Sequence, residues 1–406
     1  MKKRLLVIFL VFIALVGCSA APGSSPTSAN DSQASPSAAP SATNALVPTQ
    51  TATLTAEPVL PTDTSLPTLT PTPAVYGPDN FPEYVNPLSG MPINSPSILD
   101  RRPVAVKVQL FPRGQRPVFG VSQADQVFDF YQNDGLTRLH AIFYGKDAEQ
   151  VGPVRSARLF DDELIRMYES IFAFGGASSQ TLEELYNSGY GERLVMEGGT
   201  CPALCRTDPN GFNFLMADTA ALTDYTTSQG VENERQQLDG MVFDSQVPPG
   251  GQPGQQVTTR YSISAYNRWE YDPTSGRYLR FQDTQEDDGT AGEGYAPLMD
   301  GASNTQVAAD NVVVLLMDHG IVDPAAKNKV IDINSYGSGP AYVFRDGQMY
   351  EALWNRPEAA SIIYLTTKEG TVFPLKPGST WYQVIGSSSQ TEQEGDGAWR
   401  FRFNIP

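Results

Sequence analysis

Histidine and cysteine are scarce in this chain: its 406 residues hold two histidines, His140 and His319, and three cysteines, Cys18, Cys201 and Cys205. No G-x-S-x-G elbow, H-E-x-x-H pair or P-loop is present, which removes the sequence signatures of the common hydrolases, zinc proteases and nucleotide-binding enzymes. A Ser–His–Asp arrangement would have to recruit one of the two histidines. His140 alternates within a predicted strand and reads as an ordinary satisfied histidine. His319, in Asp318-His319-Gly320, falls in a predicted turn and is expected to face solvent. No catalytic residue and no metal ligand is assigned on this reading, and no cofactor is expected. Positive charge is also in short supply. Twenty-eight Lys and Arg against 45 Asp and Glu give a formal charge of −17, a balance that repels nucleic acid and anionic lipid surfaces.

Three of those few cations open the chain. Met1-Lys2-Lys3-Arg4 precedes the apolar run Leu5 to Val16, and Leu15-Val16-Gly17-Cys18 follows. A short basic segment ahead of about a dozen apolar residues is the pattern of a secretory signal, and it is shorter than the roughly 20 residues of a membrane span. The small residues before Cys18 match a bacterial lipobox, so residues 1–17 are expected to be removed and the Cys18 thiol acylated. Losing Lys2, Lys3 and Arg4 would bring −17 to −20. From residue 18 to 75 the chain is Ser, Thr, Pro and Ala with scarcely an aromatic. Such a composition cannot bury enough apolar surface to offset the entropy of ordering. It reads as a disordered stalk with a span of about 40–45 Å, or roughly 200 Å fully extended. Cys201 and Cys205 are then most simply a local disulfide in an oxidising compartment, worth about 2 kcal/mol by loop closure. Free thiols are the alternative, and zinc would need two further ligands.

Folded sequence starts near Tyr76. The fold class expected is an α/β (α+β) first domain, a layered sheet with helices, over residues 76–247, followed by a β-rich second domain over 257–406. The turn-rich segment 248–256 (Pro248-Pro249-Gly250-Gly251) would join them. Val104, Val106 and Val108 alternate with Ala105 and Lys107 and predict a half-buried strand. Gln126–Tyr131 and Thr137–Tyr144 predict two more strands about Asn133-Asp134-Gly135. Phe160–Ser170 has helical spacing, a second helix follows Ser179 with a Thr181/Glu184 capping box, and Ala217–Ser228 gives a third. In the second half, Asn311–Met317 reads as a buried strand, and Asp346-Gly347 as the turn of a hairpin. Ser361–Thr367, Thr371–Leu375, Trp381–Ile385 and Trp399–Phe403 are further strands.

The stretch most suggestive of a site runs from Ser122 to Asp162. Arg138, Arg155 and Arg158 fall within 21 residues, with Asp125, Asp129, Asp161 and Asp162 around them. Arg155-Ser156-Ala157-Arg158 leaves the end of a predicted strand, so both guanidinium groups emerge together, and arginine forks hold phosphate or carboxylate in a bidentate way. The plainer account is that each arginine pairs with a neighbouring aspartate and holds a loop. Gly175-Gly176-Ala177-Ser178 lies between a short apolar strand and a helix start. Its amides could receive an anion, or the glycines simply make the turn. The candidate ligand site is therefore Asp125, Arg138, Arg155, Ser156, Arg158, Asp162, Gly175, Gly176 and Ser178.

Several blocks occur together in order: Asn86-Pro87-Leu88-Ser89-Gly90, Arg102-Pro103-Val104-Ala105-Val106, Ser122-Gln123-Ala124-Asp125, Gly135-Leu136-Thr137-Arg138 and Val151-Gly152-Pro153-Val154-Arg155-Ser156-Ala157-Arg158. Then come Trp269-x-Tyr271-Asp272, Asn311-Val312-Val313-Val314 and Pro377-Gly378-Ser379-Thr380-Trp381. Taken together they resemble the YerB-like lipoproteins, a bacterial family known as a two-part domain of unknown function. The resemblance runs from about Asn86 to Ile385, and Val151–Arg158 is its most specific block. It implies a signal-anchored envelope protein with an α/β first part and a β-rich second part, and no established activity. The family tends to carry histidine where this chain has Leu110 or Phe111, Phe174, and Phe212 or Asn213, so any role of those histidines is absent here. A looser similarity, Ala124-Asp125 followed by Ser156-Ala157-Arg158, links the chain to wall-polymer ligases of the LytR-CpsA-Psr type, which hold a polyprenyl pyrophosphate with arginines. The expected role is a tethered binding or scaffold protein, partnered by the membrane through its lipid anchor and by a cell-wall component or envelope protein. The alternative is an enzyme acting on phosphorylated or lipid-linked wall precursors, with Asp125 or Asp162 holding a metal ion or serving as base.

Overall fold

The computed structural model describes residues 75–208, 214–322 and 329–405. The signal segment, Cys18 and the stalk read from the sequence lie outside them, as do Phe212 and Asn213. Among the described residues no helix is long and apolar enough to cross a membrane.

Alternating and continuous apolar runs become strands, as their patterns require. In the first half these are β1 (Val104–Gln109), β2 (Gln126–Asn133), β3 (Leu136–Phe143), β4 (Ile171–Phe174) and β5 (Leu194–Met196). Helices α1 (Leu159–Tyr168), α2 (Ser179–Asn187) and α3 (Thr219–Ser228) accompany them. The β2–β3 turn uses Asp134 and Gly135, both at positive φ. The second half supplies Asn311–Ile321, the hairpin Gly337–Arg345 and Gln348–Arg356, Tyr364–Thr366 and Thr380–Gly386. All join one 12-stranded mixed sheet, in which Thr380–Gly386 lies between Asn311–Ile321 and β2 and runs parallel to both. The two halves of the chain thus share a sheet, in the register Gln126↔Thr380 to Phe130↔Val384. Residues 248–256 take part as well, through Gln252 and Pro253 paired with Gln348–Met349.

Both faces of this sheet are covered, which is why its strands are nearly continuous apolar runs. Val104, Val106 and Val108 of β1 point into a core shared with Leu222 of α3 and with Val257, Trp269, Tyr278 and Phe401 of a second, 7-stranded sheet. The opposite face packs against Phe160, Leu164 and Ile165 of α1 and Leu185 of α2. The expected α/β first part and β-rich second part are what the chain forms. The disulfide Cys201–Cys205 is present.

Two expectations are corrected. β1 is buried along its whole length, Lys107 included, because both faces of the sheet are covered where it runs between β3 and β4. His319 does not lie in an exposed turn. The strand continues through Asp318-His319-Gly320 to Ile321 because Ile331–Asn334 pairs with it, and His319 is 6% exposed with Nδ1 donating to the Met317 carbonyl at 2.9 Å. Burial pushes this imidazole down to about 4. The folded protein therefore refuses a proton that the unfolded chain takes up below about pH 6.5, so stability is lost as pH falls from there towards 4. His319→Gln should remove about 2–3 kcal/mol of the difference in unfolding free energy between pH 7 and pH 4.5. Urea unfolding at the two pH values checks this, and equal slopes for both proteins would contradict it.

Candidate functional site

The antiparallel register sets Gln109 opposite Arg138 and Lys107 opposite His140. Side chains two apart on a strand share a face, so all four stand on the side of the sheet that α1 covers. Deeper in, Asp161 of α1 receives Lys107 Nζ at 2.9 Å and lies 2.8 Å from His140 Nδ1, with all three fully buried. Burial outweighs Asp161 and pushes Lys107 down to about 7. Burial likewise lowers His140. Burial would raise the Asp161 carboxyl, but Lys107 and His140 together hold it below its ordinary value. Asp161 also caps its own helix, accepting the Arg158 amide at 2.6 Å.

Nearer the surface, at the start of α1, the arginines gather. Arg138 Nη1 donates to the Ser156 carbonyl at 2.6 Å, and Arg158 Nη1 reaches the same oxygen at 3.4 Å and the Ala157 carbonyl at 2.8 Å. Both side chains are half-buried, and among the described residues neither has a carboxylate within 4.0 Å. Asp161 and Asp134 bear on Arg158 only from further out. Burial, with the Arg158 cation beside it, pushes Arg138 down to about 9. Arg155 turns to carboxamides, with Nε to Gln109 and Nη2 to Gln115 Oε1 at 3.3 Å. The glycine turn lies against this loop: Gly175 N donates to the Arg155 carbonyl at 3.0 Å and Ala157 N to the Gly176 carbonyl at 2.8 Å. Gly175's amide is thereby spent on the loop, and Ser178 Oγ is spent capping α2, where it accepts Thr181 N at 3.2 Å. Gly175 and Gly176 thus hold the backbone of the arginine loop.

The structure does not bring the acids to the arginines. Asp162 binds Arg166 at 2.9 Å and Ser188 Oγ at 2.7 Å and also accepts the Tyr190 hydroxyl. Asp125 sits at the other end of the β2–β3 ladder, five residues from the partner of Arg138, or about 16 Å at strand rise. There it accepts the amides of Tyr144 and Gly145 at 2.7 and 2.9 Å, and burial raises its carboxyl against their pull. Sequence reasoning missed Lys107 and Gln109. The signal was a lysine and a glutamine inside an otherwise apolar strand, V-A-V-K-V-Q. Where the resemblance implies histidines, Leu110 and Phe174 are buried apolar side chains. No group of three His, Cys, Asp or Glu able to hold a metal ion occurs among the described residues.

A mixed sheet covered by α1 and α2 on one face and by α3 and a second sheet on the other defines the fold class. The chain belongs to the two-part family described as "Protein of unknown function (DUF3048)", whose N-terminal domain matches residues 88–232 and whose C-terminal domain matches residues 257–382. It is 26% identical over 321 residues to a protein of Bacillus subtilis (strain 168) named "Putative lipoprotein YerB", covering 76% of this chain and 88% of that one. The crystal structure of YerB protein from Bacillus subtilis has the same fold, with a TM-score of 0.61 at 24% identity over 74% of this chain and 96% of that one.

Proposed function

We propose that this protein is a lipid-anchored, extracytoplasmic binding protein that grips an anionic group of an envelope component with Arg138 and Arg158, flanked by Arg155. One observation carries the reading: two half-buried guanidinium groups converge on a single carbonyl oxygen with no carboxylate of the described residues at ion-pair distance. Like charges held together out of water are costly unless an anion joins them, and the guanidinium fork suits phosphate or carboxylate. The start of α1 adds its positive end. Anchoring rests on the Lys2–Cys18 pattern and on the kinship with a protein named a lipoprotein. The enzyme reading is weaker, because Asp125 is too distant and Asp162 is already paired.

Inorganic pyrophosphate is a direct probe. Calorimetric titration should show binding that weakens with salt. Arg138→Ala and Arg158→Ala should each weaken it at least tenfold, or about 1.4 kcal/mol, with the unfolding transition unchanged. Affinity equal to wild type in both variants would overturn the assignment.

A further inference from the structure

Asp125 lines a cleft of about 620 Å³, and three of the sequence blocks that carry the resemblance meet there. Gly378 N donates to the Ser89 carbonyl at 2.8 Å and Thr380 N to the Asp125 carbonyl at 3.0 Å, while Gln126 Nε2 reaches the Leu88 carbonyl at 2.9 Å. The turn around Asn86, the strand entry at Asp125 and the turn before Thr380 are thus knitted into one wall, built from both halves of the chain. The volume falls in the range of small-molecule sites, roughly 300–1,000 Å³.

From these walls we infer a second binding site, for a neutral sugar unit of a glycan. Its charges cancel. Arg277 faces Asp310 at 3.4 Å, and the buried Asp125 is answered by Lys146 at the rim, so no surplus charge selects an ion. Its uncharged polar side chains are hydroxyls and carboxamides, Ser89, Ser95, Ser122, Ser379, Asn86 and Asn94, which both donate and accept, as sugar hydroxyls do. The Oγ atoms of Ser89 and Ser122 are buried without a hydrogen-bond partner among the described residues, and Ser89 is 3% exposed. Met91, Ile93 and Ile98 supply an apolar side for the C–H face of a sugar ring. The site is separate from the arginines, at the opposite end of the β2–β3 ladder.

The test is binding of the purified protein to a panel of immobilised neutral oligosaccharides, followed by titration with the best of them. Ser89→Ala combined with Ser122→Ala should weaken that titration at least tenfold. The melting temperature should hold or rise, since neither hydroxyl has a partner to lose, and pyrophosphate binding should persist, so failure here is distinct from failure of the arginine reading. The inference is overturned if no neutral glycan is held at millimolar concentration. It is also overturned if the double variant binds like wild type, or if only anionic sugars or peptides bind and Lys146→Ala abolishes it.

Discussion

Asp129→Ala should cost about 3–5 kcal/mol of folding stability, the usual penalty for stripping one partner from a buried ion pair. Asp129 lies on β2 and receives Arg280 Nη2 at 2.7 Å from the second sheet, with both side chains fully buried. The Arg280 guanidinium is enclosed by the indole rings of Trp269 and Trp381, at 5.2 and 4.5 Å from their centroids. Gln282 accepts two of its N–H groups. Without Asp129 the cation would stay in the core with a carboxamide and two aromatic faces, too little to replace water. Urea unfolding should show a lower midpoint with an unchanged slope. Asp129→Leu combined with Arg280→Met should recover most of the loss, because a well-packed apolar pair avoids the desolvation cost altogether. A single-variant loss below about 1 kcal/mol would mean that this pair does not bind the first half of the chain to the second sheet.

Asp161→Ala should be as damaging, and its penalty should depend on pH. Among the described residues, Lys107 and His140 share Asp161 as their one carboxylate. Removing it leaves a buried ammonium with the Phe130 ring, 3.7 Å from Nζ, as its nearest compensation. Lys107 already titrates at about 7 with Asp161 present, and without that carboxylate its value must fall further. Wild-type Lys107 holds its proton at pH 6 and the variant must give it up, so the penalty should be larger there than at high pH, growing by up to about 1.4 kcal/mol for each pH unit below 7. It should shrink at pH 9, where the folded protein holds a neutral amine that needs no counter-charge. Chemical unfolding at the two pH values measures this. A penalty that is constant across them would contradict the buried charge pair.

Local pattern was legible in the sequence, and partnership was not. Asn311–Met317, the Asp346-Gly347 hairpin and the helix of Phe160–Ser170 were visible because alternation, turn chemistry and 3.6-residue spacing act over neighbouring residues. His319 was misplaced because Asp318-His319-Gly320 has the composition of a turn, while the pairing that extends its strand comes from residues 331–334. The arginine loop was legible because its residues are close in sequence. Asp125 looked like a member of the same group for that reason, yet the antiparallel register of β2 and β3 sends it to the far end of the ladder. The cleft around Asp125 was out of reach, since its walls are contributed by segments nearly 300 residues apart, from Asn86 to Ser379.

Anomalous scattering from crystals soaked in tungstate, a divalent tetrahedral oxyanion, would locate the anion that the arginines are held to receive. The account predicts a peak within hydrogen-bond reach of both the Arg138 and Arg158 guanidinium groups, lost in Arg138→Ala. Full occupancy elsewhere with nothing between those two side chains would contradict it.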